Sequence, residues 1–261
     1  MDAATEAGLD ATVEAAGDAT SGTPDAGDAM AEASAPDASD GGSSAGACST
    51  GGWCWSHPLP EGNPLLGTWG SGPSDVWAVG AYGSILHWNG TAWSLVDGGT
   101  TQDLQGVWGS AANDVWAVGS DGILHWNGSS WSTVSTGQYG LNAVWGSSAS
   151  DVWAAGYSGT ILHWNGSAWT LSGSFGTTTH FNSVWGSGPN DVWAVGSQGQ
   201  VHTAAFHWNG SAWSPPSAFS DFGALTSVWG SAANDVWISA NWIALHWNGT
   251  AWTTSDVGDQ V

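Results

Sequence analysis

Apolar residues in this chain come in short runs rather than at helical spacing. From Leu65 onward, runs of four to six residues rich in Val, Ile, Leu and Trp alternate with clusters of Gly, Asn, Asp and Ser. That alternation predicts short strands and turns. The clearest stretch, VWGSGPNDVWAVG (184–196), is followed by FHWNGSAW (206–213), and both are written five times. The paired Trp residues are Trp69/Trp77, Trp108/Trp116, Trp145/Trp153, Trp185/Trp193 and Trp229/Trp237, with successive spacings of 39, 37, 40 and 44 residues. Such a period marks propeller blades. Each repeat predicts four strands: A (L-x-x-V-W-G), B (V-W-A-V-G), C (I-L-H-W) and D, which opens on Trp93, Trp131, Trp169, Trp213 or Trp252. Asn-Gly between C and D predicts a tight hairpin with both central residues at positive φ. The fold class that follows is an all-β propeller of about five four-stranded blades. Its repeats lie near 65–95, 104–134, 141–171, 181–214 and 225–254, within a domain spanning 48–261.

Residues 1–47 are Ala, Asp, Gly, Ser and Thr with ten acids and almost no large apolar side chain. Like charge and low hydrophobicity predict a disordered, self-repelling linker there. Its composition resembles the tethers of bacterial surface lipoproteins, which implies an extracellular or cell-surface location. No leader is visible, and any lipid anchor lies outside this chain. Cys48 and Cys54 follow. Their spacing fits no zinc site and favours a local disulfide, worth roughly 2 kcal/mol in the chain-entropy model. Trp55–Gly67 then aligns with Trp93–Gly106, so the domain opens partway through a repeat. An extra fourth strand there competes with Trp252–Thr254 for the closing edge, leaving open whether five repeats close.

Charge narrows the function. The chain has no Lys and no Arg against 22 Asp+Glu, a formal charge of −22. Without fixed cations it cannot neutralise phosphates, which argues against nucleic acid and anionic membranes as partners. No run of about 18 apolar residues predicts a transmembrane segment. Stability must come from burial and aromatic packing, and 23 Trp meet that demand.

The pattern W-A-V-G-x-x-G-x-I-L with a following G-x-x-W turn resembles the bacterial BNR/Asp-box-like propellers, including the photosystem II assembly-factor-like group, in a Trp-rich variant. The resemblance covers about residues 55–254 and implies the propeller architecture. Trp density and blade count are also similar to the tachylectin type of five-bladed lectin.

Two residue types recur once per blade. Asp75, Asp114, Asp151, Asp191 and Asp235 precede strand B, where an Asx-type bond to backbone donors in the A–B turn explains them. His87, His125, His163, His207 and His246 lie on strand C, a blade apart, too distant for shared metal ligation, and are expected to pack between blades. Five N-G-[ST] triplets match a glycosylation acceptor, but the turn alone accounts for them. No metal, cofactor or catalytic residue is indicated. The off-pattern acids Glu61, Asp97, Asp103, Asp121 and Asp221 form no evident pair for glycoside hydrolysis.

The repeats differ in their B–C turns and D–A connections, which emerge on one face of the disc. Variable loops on a rigid scaffold are where binding concentrates. The candidate ligand-binding residues are therefore Tyr82, Asp121, Tyr139, Tyr157, His180, His202, Asp221 and Trp242. Trp242 is the only Trp between strands B and C. Phe175, Phe219 and Phe222 lie in the same connections. The expected function is a non-catalytic, secreted or surface-tethered recognition scaffold for a protein ligand. The alternative is a lectin-like propeller holding a glycan on exposed aromatics.

Overall fold

Among the described residues, twenty strands, all antiparallel, make up five four-stranded sheets. The computed structural model describes residues 62–199, 202–216 and 221–256. The tether, Cys48, Cys54 and the strand expected at Trp55 lie outside them. The first blade comprises β1 (Leu65–Gly72), β2 (Asp75–Gly80), β3 (Ile85–Trp88) and β4 (Trp93–Leu95). The second has β5 (Leu104–Ala111), β6 (Asp114–Gly119), β7 (Gly122–Trp126) and β8 (Trp131–Val134). The third has β9 (Leu141–Ser148), β10 (Asp151–Gly156), β11 (Thr160–Trp164) and β12 (Trp169–Ser174). The fourth has β13 (Thr179–Gly188), β14 (Asp191–Gln198), β15 (His202–Trp208) and β16 (Trp213–Ser214). The fifth has β17 (Leu225–Ala232), β18 (Asp235–Ala240), β19 (Ile243–Trp247) and β20 (Trp252–Asp256). Strands pair in sequence order within each blade, so each sheet is a meander. The fifth blade thus has its own fourth strand.

The C–D turn differs from the sequence expectation. Gly90, Gly128, Gly166, Gly210 and Gly249 hold positive φ, but the Asn before each does not. Instead Asn89 Oδ1 accepts from the N–H groups of Thr91 and Ala92, both at 2.9 Å. Trp88 pairs with Trp93 across the four-residue loop. The amide oxygen does the work that a second left-handed residue does in a two-residue hairpin.

One blade packs on the next through large side chains. The core between the first two blades joins Trp77, Val79 and Ile85 to Leu104, Val115, Ala117 and Leu124. The same arrangement recurs at the next three junctions. A strand-A Trp ends each contact by lying on a glycine of the following blade. A Cβ on Gly146 would stand 2.6 Å from the Trp108 ring and 2.7 Å from the Asp151 carbonyl. Gly146→Ala is therefore expected to cost about 1–3 kcal/mol. Gly72→Ala meets nothing within 4 Å and should be near neutral. Urea denaturation of the two variants checks the contrast.

The innermost strands β1, β5, β9, β13 and β17 pack on one another in that order, but β17 makes no comparable packing with β1. Among the described residues the array is open at that seam. Trp77, Trp116, Trp153 and Trp193 are at most 4 % exposed, whereas their fifth-blade counterpart Trp237 is 41 % exposed and Trp229 is 60 % exposed.

Candidate functional site

The recurring Asp and His residues belong together. In every blade the strand-C His donates through Nε2 to Oδ1 of the strand-B Asp at 2.5–2.7 Å. The second oxygen, Oδ2, accepts from a strand-A Ser hydroxyl (Ser71, Ser110, Ser147, Ser187 or Ser231) at 2.5–2.6 Å. The imidazole stacks on its own blade's Trp at 4.0–4.2 Å, as in Trp153–His163. Two expectations are corrected. The Asp bonds side chains of strands A and C rather than turn amides, because its side chain points along the sheet toward the His one strand over. The His packs within its blade rather than between blades. Ser and His both bond the carboxylate and not each other, so no hydroxyl is activated as in a nucleophilic triad.

Burial pushes the Asp151 and Asp191 carboxyls up, yet both lie below the ordinary carboxylate range. Hydrogen bonds from His163 and Ser147, and from His207 and Ser187, together with the imidazole charge, outweigh it. Asp235 is lowered by Ser231 and His246.

The other face carries the variable loops. Tyr82, Tyr139 and Trp242 are 71, 67 and 71 % exposed, and Tyr157 is 52 % exposed. Tyr157 meets His180 edge-on at 5.1 Å, and its ring covers Gly140, next to Tyr139. This joins the third blade's B–C turn to the connections on either side. His180 is a strand residue, paired with Ser197, and its Nδ1 is buried without a hydrogen-bond partner. The expected long loop near His202 is mostly strand too: β14 and β15 extend until Gln198 pairs with His202.

His202 and Asp221 form an exposed pair, Nδ1 to Oδ2 at 2.5 Å. Asp221 also accepts from the N–H groups of Thr203 and Gly223. Its carboxyl is strongly lowered by His202 and these amides. The pair lines an open cavity of about 340 Å³ with Gln198, Thr203, Pro215 and Pro216. Asp121 accepts from Thr100 Oγ1 at 3.3 Å beside a small cavity of about 60 Å³. The candidates thus fall into separate clusters: Tyr139–Tyr157–His180, His202–Asp221, Asp121, and the isolated Tyr82 and Trp242. Phe175 packs on Phe181 and Phe206 and belongs to the core, as does Phe222. Phe219 and Glu61 lie outside the described residues.

Asp103 was read from the sequence only as an unpaired acid. Its Oδ1 accepts the N–H of Tyr82 at 2.9 Å and holds that left-handed residue in place. Asp97 likewise accepts from Gly99 N–H at 2.8 Å. Among the described residues no group of three His, Cys, Asp or Glu is arranged to hold a metal, and no helix is long and apolar enough to cross a membrane.

No protein-family model and no curated protein matches the sequence. Solved structures do match the fold. One is YCF48 from Cyanidioschyzon merolae, of the photosystem II assembly-factor group, at 18 % identity and TM-score 0.56, covering 76 % of this chain and 73 % of that one. Another is the extracellular domain of BT4673 from B. thetaiotaomicron, at 9 % identity and TM-score 0.60, covering 77 % of this chain and 32 % of that one. The propeller class and the likeness to the assembly-factor-like group, both expected from the motifs, are borne out at the level of fold.

Proposed function

We propose that this chain is a non-catalytic recognition propeller that binds a protein ligand on its B–C/D–A face, outside the cell or at its surface. The observation that carries the reading is the asymmetry between faces. On one, Ser, Asp and His satisfy one another in every blade. On the other, Tyr82, Tyr139, Tyr157 and Trp242 project into solvent from bonded turns. Exposed aromatics held on rigid backbone lose little entropy on binding and are the residues interfaces use most. The off-pattern carboxylates Asp97, Asp103, Asp121 and Asp221 each bond a loop group, which supports a scaffolding role for them over acid–base chemistry.

Peptides selected from a random display library on the full chain, then measured by calorimetry, test this. Binding should weaken by about tenfold or more in Trp242→Ala or Tyr157→Ala and persist in Trp229→Ala, whose side chain lies on the open seam. Enrichment on a glycan array with no peptide selected, lost in the same two variants, would instead establish the lectin-like reading.

A further inference from the structure

Three of the four blade junctions close the same aromatic clamp, and the last does not. Trp77 touches Trp126 and Trp131 of the next blade at 5.0 and 5.3 Å. Trp116 touches Trp164 and Trp169 at 5.1 and 5.3 Å, and Trp153 touches Trp208 and Trp213, both at 5.4 Å. Trp193 keeps only the second contact, to Trp252 at 5.4 Å. Trp247 packs on the same core without meeting the Trp193 ring, and a cavity of about 330 Å³ lies among Trp193, Trp247, Trp252, Asp191, His207 and Pro216.

The sequence explains the gap. Pro215-Pro216 follows Trp213-Ser214, and proline carries no N–H for the ladder. β16 therefore stops after two residues, against three to six in the other fourth strands. The positions that hold Val96 and Val134 in the first two blades are filled here by Pro216, and the seam is left underpacked.

We infer that this cavity binds an organic ammonium ion. The indoles of Trp247 and Trp252 line it beside the buried Trp193, and a carboxylate, Asp191, stands in the same wall. This is the combination that recognises alkylated ammonium groups through cation–π attraction. Besides Asp191 and the indoles, the hydrogen-bonding side chains of the lining are His207 and Ser214, and His207 is already joined to Asp191 at 2.5 Å. Such a lining suits a cation with a greasy surface better than a sugar, which needs several hydrogen-bond partners. No lysine or arginine exists in the chain, so the cation must come from outside, and a net charge of −22 draws it in. The site opens beside the A–B turn of the fifth blade, near Ala233, on the side away from the variable loops. It shares only the Pro215-Pro216 wall with the His202–Asp221 cavity and none of the exposed aromatics of the face proposed above.

Calorimetry on the full chain, at about pH 8 and constant ionic strength, tests the site with choline, a trimethyl-lysine peptide, the neutral isostere 3,3-dimethylbutanol and glucose. Saturable binding is expected for the two ammonium ligands, with the neutral isostere weaker by about tenfold or more. Tighter binding of the peptide assigns the group to a protein partner; equal binding assigns it to a free small molecule. Trp247→Ala should reduce affinity about tenfold. Ala233→Leu, at an exposed turn position, should block the mouth while leaving the thermal melt unchanged. Trp242→Ala should have no effect, which separates this site from the loop face. Equal binding of the isostere, preferential binding of glucose, no saturable binding, or full affinity in Ala233→Leu would each overturn the assignment.

Discussion

Trp153→Ala should lower the unfolding free energy by about 3–5 kcal/mol, while Trp229→Ala should change it by less than about 1 kcal/mol. The two belong to the same repeated motif, Trp153 on strand B of its third copy and Trp229 on strand A of its fifth, and sequence alone gives them similar standing. Trp153 is 1 % exposed; it stacks on His163 at 4.0 Å and is held between Trp208 and Trp213 of the next blade. Its Nε1 also donates to Asp151 at 3.1 Å. Removing it leaves a cavity that two blades cannot collapse without moving both sheets. Among the described residues no blade follows for Trp229 to lie on, and it is 60 % exposed. Equilibrium urea unfolding followed by far-ultraviolet circular dichroism measures both. Similar losses for the two variants would mean that the open seam is covered in solution.

Blades, strand order and the pairing of most strands were legible because the period of the repeat is the period of the fold. Trp, Gly and Asn-Gly recur wherever a sheet must turn or meet its neighbour. Roles that depend on direction were harder to read. Asp151 and His163 are twelve residues apart. Their meeting follows from the register that sets Trp153 beside His163, which spacing alone does not fix. His180 and His202 looked like loop residues because their repeat is longer than the rest. The added residues prolong two strands instead, since Ser197 and Gln198 find partners in His180 and Thr179. The seam cavity had a signal, Pro215-Pro216 where other repeats continue a strand, but its meaning depends on how the neighbouring indoles pack. Exposure is the other quantity that repetition hides: the D-V-W shared by Trp193 and Trp237 holds a buried ring where a described blade follows and an exposed one where none does.

Asp151→Ala should cost about 2–3 kcal/mol near neutral pH and flatten the acid limb of the stability profile. One carboxylate here joins three strands. Oδ2 accepts from Ser147 on strand A at 2.5 Å, and Oδ1 accepts from Trp153 on strand B at 3.1 Å and pairs with His163 on strand C at 2.6 Å. Deleting it leaves the buried Trp153 N–H, the half-buried His163 and the Ser147 hydroxyl without that acceptor. The sign with pH follows from the direction of the shift. Burial raises the Asp151 carboxyl, but the bonds from His163 and Ser147 and the imidazole charge lower it further, so its folded value lies below the ordinary 3.8. The folded state therefore favours the charged form. That stabilisation is fully present above about pH 4 and disappears as the pH falls through the lowered value. Asp191 and Asp235 are lowered likewise, so the wild-type chain should lose stability as the pH falls below about 4. Urea midpoints at pH 7, 5, 4 and 3 for the wild type and the variant give the comparison. The two curves should converge toward the acid end; parallel curves would show that the carboxylate acts through packing and not through its charge.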